Sequence, residues 1–267
     1  MNKHVHRDVK HPTKSAPFRL INTEEASATY RRAAPWLHRL LTIGCKRDWD
    51  GFPALPKTGP AILVANHLTS FDAVIIADYI LYHGRYPYFL AKSSLWHVPV
   101  LRRLLRAIDQ IPVYRGTNQA SDSLAEARHR LEQGKVVFIF PEGTTTRDPK
   151  EWPFSTKTGA ARLAMETGAP VIPFGHWGAS VICPDNAGPQ KGPHLLPRHW
   201  VCFRSGEPMD LSRFGTDETD RDAVRACSTA ILTGIVEQVA RARGEQAPQL
   251  RWNPKVGGYV PPDQAIW

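Results

Sequence analysis

The sequence predicts an α/β fold in which a mixed, mainly parallel sheet is flanked by helices. Short apolar runs alternate along the chain with amphipathic segments of helical period, an order typical of helices packed on such a sheet. One run, KVVFIFP, is apolar throughout, as expected of a strand covered on both faces. The 267 residues, 42% hydrophobic and 22% charged, suffice for one large α/β domain.

Three regions are expected along the chain: a basic flexible arm over residues 1–34, a folded domain over 35–245, and a tail over 246–267 that contains Pro, Gly and Trp. The arm is polar and lacks periodicity. Residues 1–47 hold ten Lys/Arg and three Asp/Glu, a net of +7 out of the formal +9 of the chain. This concentration is typical of an arm that tethers a protein to an anionic partner. We expect the tail to wrap the domain without forming an element.

The domain is predicted to begin with an amphipathic helix from Pro35 to Gly44. Proline suits the first helical position because the N–H that it lacks has no intrahelical partner there. One face of this helix collects five apolar residues: Trp36, Leu37, Leu40, Leu41 and Ile43. Two interpretations stay open, a helix lying on a membrane surface and a helix packed on the core of its own domain.

Strands and helices are predicted to alternate after the turn-rich stretch 51–60. The predicted strands cover 61–66, 86–92, 108–114, 135–141, 170–177 and 199–206. The predicted helices begin near Phe71, cover 99–107, 121–134 and 157–168, and end with a long helix from Asp220. Ser123 and Glu126 have the spacing of a capping box, and Gly134 is a helix stop. The long helix carries an apolar stripe of Val224, Cys227, Ile231, Ile235 and Val239.

Composition disfavours several classes of protein. The sequence has no run of ~20 apolar residues, the length that a membrane-spanning helix requires. The N-terminus lacks the apolar core of a secretion signal, so we expect a cytosolic address. The four cysteines (Cys45, Cys183, Cys202 and Cys227) are far apart and predict neither a disulfide framework nor a zinc site. The histidines of the arm lack a scaffold, so no metal is expected.

The basic charge by itself permits nucleic acid, anionic lipid or a phosphorylated substrate as partner. The basic residues are not interleaved with aromatic residues in a recognition motif for nucleic acid. We therefore expect no nucleic-acid partner and favour an anionic membrane surface.

The first motif with chemical content is NHLTSFD over residues 66–72, which leaves a predicted strand and enters a helix. Catalytic groups collect at that edge of α/β sheets. Across such a turn the Asp72 carboxylate can accept the Nδ1–H of His67, which leaves Nε2 free to take a proton. A structural role for a His and Asp pair is the alternative.

Two further segments place an arginine just past a predicted strand. In FPEGTTTR, residues 140–147, backbone amides, hydroxyls and the Arg147 guanidinium can cradle a phosphate. In IPVYRG, residues 111–116, Arg115 follows the strand end. Taken alone, the first of these is also compatible with an ordinary loop that enters a helix.

Together these segments resemble, in order and spacing, the glycerophosphate-type acyltransferase family, whose members acylate glycerol phosphate, lysophosphatidate or related lysolipids. Its NHxxxxD motif is met at 66–72 and its FPEG motif at 140–143. Arg115 resembles the strand-end arginine of the middle motif, and Pro173 matches a proline-containing strand. GEPMDLS is similar to a later segment, and the resemblance covers roughly residues 55–215.

The resemblance implies a role for each motif residue. His67 is the general base on the acceptor hydroxyl, and Asp72 holds the ring and stabilises its imidazolium. Glu142 holds acceptor hydroxyls or the loop itself; the alternative is a helix-entry carboxylate that accepts backbone N–H groups. The implied substrate-binding set is Arg115, Glu142, Gly143, Thr144 and Arg147, of which the two arginines bind phosphate.

The reaction implied is transfer of a fatty acyl group from acyl-CoA or acyl carrier protein to a lysophospholipid, foremost 1-acyl-sn-glycerol-3-phosphate, giving phosphatidic acid without a cofactor. Its implied place is the cytoplasmic face of the cell membrane, with the protein peripheral or monotopic. Acylation of another lysolipid, such as a lyso-aminolipid or a glycolipid, is one alternative. A non-catalytic membrane-binding module is another.

One position departs from the family pattern. Members usually carry arginine directly after the threonine of EGT, where this chain has Thr145, and Arg147 comes two positions later. We predict that the longer loop folds back so that Arg147 reaches the same phosphate as Arg115. The alternative is that Arg147 pairs with Asp148 or faces solvent.

Overall fold

The computed structural model describes residues 24–50, 55–114, 120–184 and 196–264. It confirms the predicted α/β class. Seven strands form one sheet, and two more form a hairpin. In chain order the strands are β1 Cys45–Trp49, β2 Ala61–Ala65, β3 Pro87–Lys92, β4 Ile111–Val113, β5 Val136–Ile139, β6 Val171–Trp177, β7 His199–Ser205, β8 Arg251–Asn253 and β9 Gly258–Val260.

The sheet has the order β1-β7-β6-β2-β5-β3-β4, and all neighbours run parallel except β6 and β7. Trp177, the last residue of β6, pairs with Cys202 in the middle of β7, so the first residues of β7 extend past the end of β6. The starts of β1 and β7 therefore lie at the edge where β2 to β6 end. We call this the carboxyl edge, the edge where α/β sheets bind their ligands.

The α-helices in chain order are α1 Ala28–Gly44, α2 Asp72–Tyr82, α3 Pro99–Ala107, α4 Ala120–Glu132, α5 Gly159–Thr167, α6 Ala179–Ile182 and α7 Arg221–Arg243. The predicted stripe of α7 is buried, as expected, and this helix packs on β6. Gly175 permits that contact, because a Cβ there would lie 2.3 Å from the backbone nitrogen of Val239. The central strands β2 and β5 are buried along their whole length.

The first helix begins earlier than predicted. Ser27 caps α1 by accepting a hydrogen bond from the Tyr30 amide (3.1 Å), so Pro35 lies inside the helix rather than at its start. Tyr30 is buried and its hydroxyl donates to the Pro87 carbonyl (2.8 Å), which holds the first turn on the domain. Residues 28–34, which we expected in the flexible arm, are therefore helical; residues 1–23 lie outside the described part of the chain.

Of the two interpretations of α1, packing on the core of its own domain is confirmed, and the membrane-surface role stays a prediction. Leu41 is buried against the core, as a helix packed on its own domain requires. Trp36, Leu40 and Ile43 point outward, with exposed fractions of 70%, 56% and 58%. The predicted single apolar face is thus divided between the core and the surface.

Three other details differ from prediction. Helix α4 begins at Ala120, so Ser123 does not cap it; its hydroxyl donates to the Pro112 carbonyl (2.9 Å). The tail forms a β8–β9 hairpin rather than an irregular wrap. Strand β1 was not predicted, because its sequence CKRDW is largely charged and shows no apolar run. Parallel pairing with β7 makes it a strand.

The four cysteines are free thiols, in agreement with the sequence analysis. Among the described residues, none of the helices combines the length and the apolar character needed to cross a membrane.

Candidate active site

The first motif forms a histidine and aspartate pair at the carboxyl edge. His67 lies just past the end of β2, and Asp72 is the first residue of α2. Nδ1 of His67 lies 2.9 Å from Oδ2 of Asp72. The His67 side chain remains 18% exposed, and its Nε2 makes no hydrogen bond to a described residue. The two side chains meet across the turn as predicted, in the geometry that a general base requires; their catalytic role stays a prediction.

Asp72 is fully buried and organises the turn around it. Its Oδ2 also accepts hydrogen bonds from the amides of Leu68 and Thr69 (2.9 Å for Thr69), and its Oδ1 accepts one from the Thr69 hydroxyl (3.2 Å). Burial by itself raises the pKa of the Asp72 carboxyl, but the neighbouring His176 and His67 outweigh it and hold this pKa well below its usual range. The group is therefore an anion at neutral pH.

A second histidine, His176 of β6, lies behind this carboxylate. Its Nε2 is 3.5 Å from Oδ2 of Asp72 and 3.0 Å from the carbonyl oxygen of Asn66. The side chain of Asn66 in turn exchanges two 3.0 Å hydrogen bonds with the His176 backbone, which extends the β2–β6 pairing past the end of β2. His176 was not among the site residues predicted from the sequence. The feature that could have identified it is a polar residue inside the apolar strand PVIPFGHW.

Glu142 of the FPEG motif holds two loops together. It is buried, and its carboxyl oxygens accept hydrogen bonds from the amides of His67 (3.1 Å) and Phe154 (3.3 Å). Burial raises the pKa of Glu142 to about 8; the two amide hydrogen bonds oppose the shift, and nearby carboxylates add to it. These contacts agree with a role for Glu142 in holding the loop, and contact with an acceptor hydroxyl stays a prediction.

Phe140, the first residue of the same motif, limits the orientation of the His67 imidazole. Its ring stacks on the imidazole of His67, with centroids 3.9 Å apart and planes 15° apart. Stacking on one side and the Asp72 hydrogen bond on Nδ1 together leave the ring little freedom to rotate. Nε2 is thus presented in a single direction.

The EGTTTR loop follows directly and lies beside His67. The amide of Thr146 donates to the His67 carbonyl (2.7 Å), which ties the loop to the base. The amides of Thr144 and Thr145 donate to no atom of the described chain. Gly143 has φ 68°, a left-handed conformation that favours glycine. Half-buried amides of this kind, next to a general base, can accept an oxyanion or a phosphate oxygen.

A lysine that the sequence analysis did not single out lies at this loop. The side chain of Lys157 passes Gly143 so closely that a Cβ on the glycine would be 3.4 Å from Cγ of the lysine. Its backbone amide donates to the Pro141 carbonyl (2.7 Å), and its ammonium has no ion-pair partner among the residues that the structure describes. The aliphatic part of the Lys157 side chain therefore lies against Gly143.

Of the two arginines predicted to bind phosphate, only Arg147 lies in the described part of the chain. Arg147 is exposed, and its guanidinium makes neither an ion pair nor a hydrogen bond within the described ranges. The alternative of a pair with Asp148 is wrong, because Asp148 is buried and accepts from the Tyr259 hydroxyl (2.8 Å) and the Lys150 amide. Arg115 lies outside the described residues. The convergence of the two arginines on one phosphate stays a prediction.

A cavity of about 400 Å³ lies beside β1 and β7, away from the histidine and aspartate pair. Its walls are basic and aromatic: His38, Lys46, Arg47, Trp49, Tyr82, Arg198 and Trp200. Two of these, His38 and Arg47, bind the buried Asp78 carboxylate at 2.7 and 2.8 Å. His67 is not among the residues that line this cavity.

Comparison with known proteins agrees with the motif resemblance. The family described as Acyltransferase matches residues 50–177. A chloroplastic 1-acyl-sn-glycerol-3-phosphate acyltransferase of Brassica napus is 30% identical over 141 residues, which are 52% of this chain and 39% of that protein. The 1-acyl-sn-glycerol-3-phosphate acyltransferase of Escherichia coli is 25% identical over 199 residues, 74% of either chain.

A solved structure shares the fold. The 1-acyl-sn-glycerophosphate acyltransferase of Thermotoga maritima superposes with a TM-score of 0.59 and 26% identity, over 79% of this chain and 80% of that one. The matched segment 50–177 contains the His67–Asp72 pair, the Glu142 loop and His176, which the fold brings to one edge. In motifs, sequence and fold, the chain is therefore similar to acyltransferases.

Proposed function

We propose that this acyltransferase moves an acyl group from a thioester donor to the free hydroxyl of 1-acyl-sn-glycerol-3-phosphate, which yields phosphatidic acid. The observation that carries the proposal is the His67–Asp72 pair, with Nε2 of His67 open at the carboxyl edge beside two unpaired loop amides. The relatives compared above are named for the same acceptor. Acyl-CoA and acyl carrier protein are the two candidate donors.

The mechanism follows from this geometry. Nε2 of His67 takes the proton of the acceptor hydroxyl as the oxygen attacks the thioester carbonyl carbon. The tetrahedral intermediate then collapses, the C–S bond breaks, and His67 returns the proton to the leaving sulfur. Asp72 is ionised and hydrogen-bonded to Nδ1, so it stabilises the imidazolium that exists between the two steps. No covalent acyl-enzyme is required.

The loop after β5 supplies the positive site that a phosphomonoester needs. The amides of Thr144 and Thr145, which donate to no described atom, precede the Thr146 amide that binds the His67 carbonyl, and the Lys157 side chain passes the adjacent Gly143. A dianion in a partly dry site must gain charge-assisted hydrogen bonds to offset its desolvation. We propose that Arg147 and Arg115 close around the same phosphate when the acceptor binds.

Because the acceptor is a membrane lipid, we propose that the enzyme works as a peripheral protein on an anionic bilayer. The outward stripe of α1, formed by Trp36, Leu40 and Ile43, supports this. Arg39 lies over the Trp36 ring at 5.4 Å, the arrangement of a basic and aromatic membrane-interface patch. The basic excess of residues 1–47 adds attraction to anionic lipid. The cytoplasmic face is the surface at which such lipids are found.

The direct test is acyl transfer by the purified full chain, with lysophosphatidate as acceptor, acyl-CoA or acyl-loaded carrier protein as donor, and mass spectrometry of the product. His67→Ala should abolish turnover without unfolding the protein, because the ring is partly exposed. His129→Ala is a matched control, since His129 is an exposed histidine of α4 and belongs to neither motif. Undiminished formation of phosphatidic acid by folded His67→Ala protein would refute the mechanism.

One observation favours a second acceptor class. The position where the family carries arginine is Thr145, and Arg147 is exposed. A lysolipid without a phosphomonoester, such as a lyso-aminolipid or a glycolipid, does not need a guanidinium there. A panel of lysolipids assayed under the same conditions separates the two. The second class is supported only if its turnover exceeds that with lysophosphatidate.

A further inference from the structure

The helix after β3 is amphipathic, yet its apolar side is not buried. Arg102, Arg103 and Arg106 fall within one third of the circumference of α3 at 100° per residue. The opposite arc is apolar, and none of the nine residues of α3 is buried. The exposed apolar side chains of α3 and of the turn before it are Leu95 (38%), Val98 (47%), Val100 (78%), Leu101 (37%) and Leu104 (44%). A helix on the surface of a globular domain normally buries such an arc.

This surface begins at the carboxyl edge. Strand β3 ends there at Lys92, and the short turn Ser93–His97 leads directly into α3. Other exposed apolar residues lie at the same edge: Ile43 just before β1, Leu196 just before β7 and Val181 in the helix after β6. In the sheet order β1 and β3 are five strand spacings apart, about 24 Å, with the strand that carries His67 between them.

From the composition and position of this surface, we propose that α3 and its preceding turn lie in the interface of an anionic bilayer beside the active site. The inference rests on the proposed function, because it gives a lipid acceptor a short path from the bilayer to His67. The apolar arc enters the acyl boundary, while the three arginines contact phosphate groups of the lipid heads. Basic amphipathic helices bind anionic membranes in this way.

The positive charge of α3 favours an anionic bilayer over the other partners that could cover its apolar surface. Helix α3 has three arginines and no acidic residue. The N-terminal residues 1–23 contain five Lys/Arg and one Asp, so this segment would be repelled by α3. A second copy of the chain would place arginine against arginine for the same reason. An anionic lipid surface satisfies both the arginines and the apolar arc.

The test measures binding of the full chain to vesicles of phosphatidylcholine with phosphatidylglycerol, and to vesicles of phosphatidylcholine alone, by co-sedimentation. Arg102→Gln with Arg106→Gln should weaken binding to the anionic vesicles by about 30-fold, at ~1 kcal/mol for each arginine. The matched control is Arg221→Gln with Arg225→Gln. It removes the same charge at the same helical spacing, from the end of α7 opposite to the carboxyl edge.

A second variant tests the apolar arc. Val100→Ser with Leu104→Ser keeps the charge and should weaken binding roughly tenfold, because less apolar surface is removed from water. Equal losses in the α3 and α7 charge variants would mean that only net charge matters, and would overturn the proposal. So would unchanged binding of the two α3 variants. A dimer in solution that Val100→Ser with Leu104→Ser dissociates would assign the surface to a second copy instead.

Turnover separates this proposal from the proposed function. With lysophosphatidate dispersed in detergent micelles, both α3 variants should retain wild-type turnover, because neither touches the His67 site. If the wild-type chain transfers no acyl group yet binds vesicles through α3, the docking surface stands and the acyl-transfer proposal fails. If transfer occurs but α3 has no effect on binding, the docking proposal alone fails.

Discussion

Replacement of Asp72 by asparagine tests the catalytic pair while sparing the fold. The carboxylate oxygen Oδ2 accepts from Nδ1 of His67 and from the amides of Leu68 and Thr69. An asparagine oxygen placed there keeps the two backbone hydrogen bonds, and its NH₂ group can donate to the Thr69 hydroxyl, which now lies 3.2 Å from Oδ1. Asp72→Ala would instead leave buried amides without an acceptor, at ~1–3 kcal/mol each.

The expected effect on turnover is large. Asparagine removes the negative charge that stabilises the imidazolium of His67, and positioned acid–base catalysis of this kind is worth ~10²–10⁴-fold. This corresponds to roughly 3–5 kcal/mol of activation free energy. The loss of charge-assisted hydrogen bonds should lower the free energy of unfolding by only ~1–3 kcal/mol. The assays are kcat with lysophosphatidate in micelles and urea unfolding followed by circular dichroism.

Asp78→Asn is the matched control. Asp78 lies on the same helix, is equally buried, and its Oδ1 is 2.7 Å from Nδ1 of His38. Asp78 therefore also binds a histidine, and it additionally pairs with Arg47 (2.8 Å). Asp78→Asn should destabilise the protein at least as much as Asp72→Asn does and leave kcat near the wild-type value. If Asp72→Asn stays folded and keeps kcat within tenfold of wild type, the general-base argument is wrong.

Three further predictions concern the residues around this pair. Arg147→Ala should raise the KM for lysophosphatidate by about one to two powers of ten and spare the KM for the thioester, because one charge-assisted hydrogen bond is lost; an unchanged acceptor KM would reject the fold-back of the loop. His176→Phe should lower kcat about tenfold through loss of the donor beside Asp72, and His176→Gln, which restores an amide donor, should recover most of it; equal kcat in both variants would exclude this role. Glu142 binds its proton more tightly in the folded state, where its pKa is about 8, than in the unfolded chain, so its contribution to stability is present at pH 5 and falls as pH rises toward 8. The unfolding free energy of wild type relative to Glu142→Gln should therefore fall by a few kcal/mol from pH 5 to pH 8 in urea titrations, and a constant difference would contradict the burial argument.

Part of the site was predictable from local sequence alone. NHLTSFD places a histidine and an acid across a strand-to-helix turn, and five residues are too few for any other element to separate them. FPEG directly follows an apolar strand. In a parallel sheet the strands end at the same edge, so the two motifs meet there. The strands β2, β5 and β6 were recognisable because burial on both faces leaves a continuous apolar run.

Other parts depend on contacts between distant residues. His176 lies 104 positions after Asp72, and only the pairing of β2 with β6 brings its Nε2 to the carboxylate. The motif suggested that Glu142 holds acceptor hydroxyls or the loop itself, but the amides of His67 and Phe154, from which its two oxygens accept hydrogen bonds, could not be read from the sequence. Neither the contact of His176 with Asp72 nor that of Glu142 with His67 could be predicted from the spacing of residues. Each joins segments that follow different strands or belong to different strands.

The sequence by itself thus determined the α/β class and the contact between His67 and Asp72, because each depends on residues that are neighbours in the chain. Three features depend on the tertiary structure alone. They are the antiparallel pairing of β7 with β6, the pairing of the charged strand β1 with β7, and the exposure of the apolar arc of α3. Amphipathic period identifies a helix but not what its apolar side contacts. That outcome depends on which surfaces the rest of the fold has already covered.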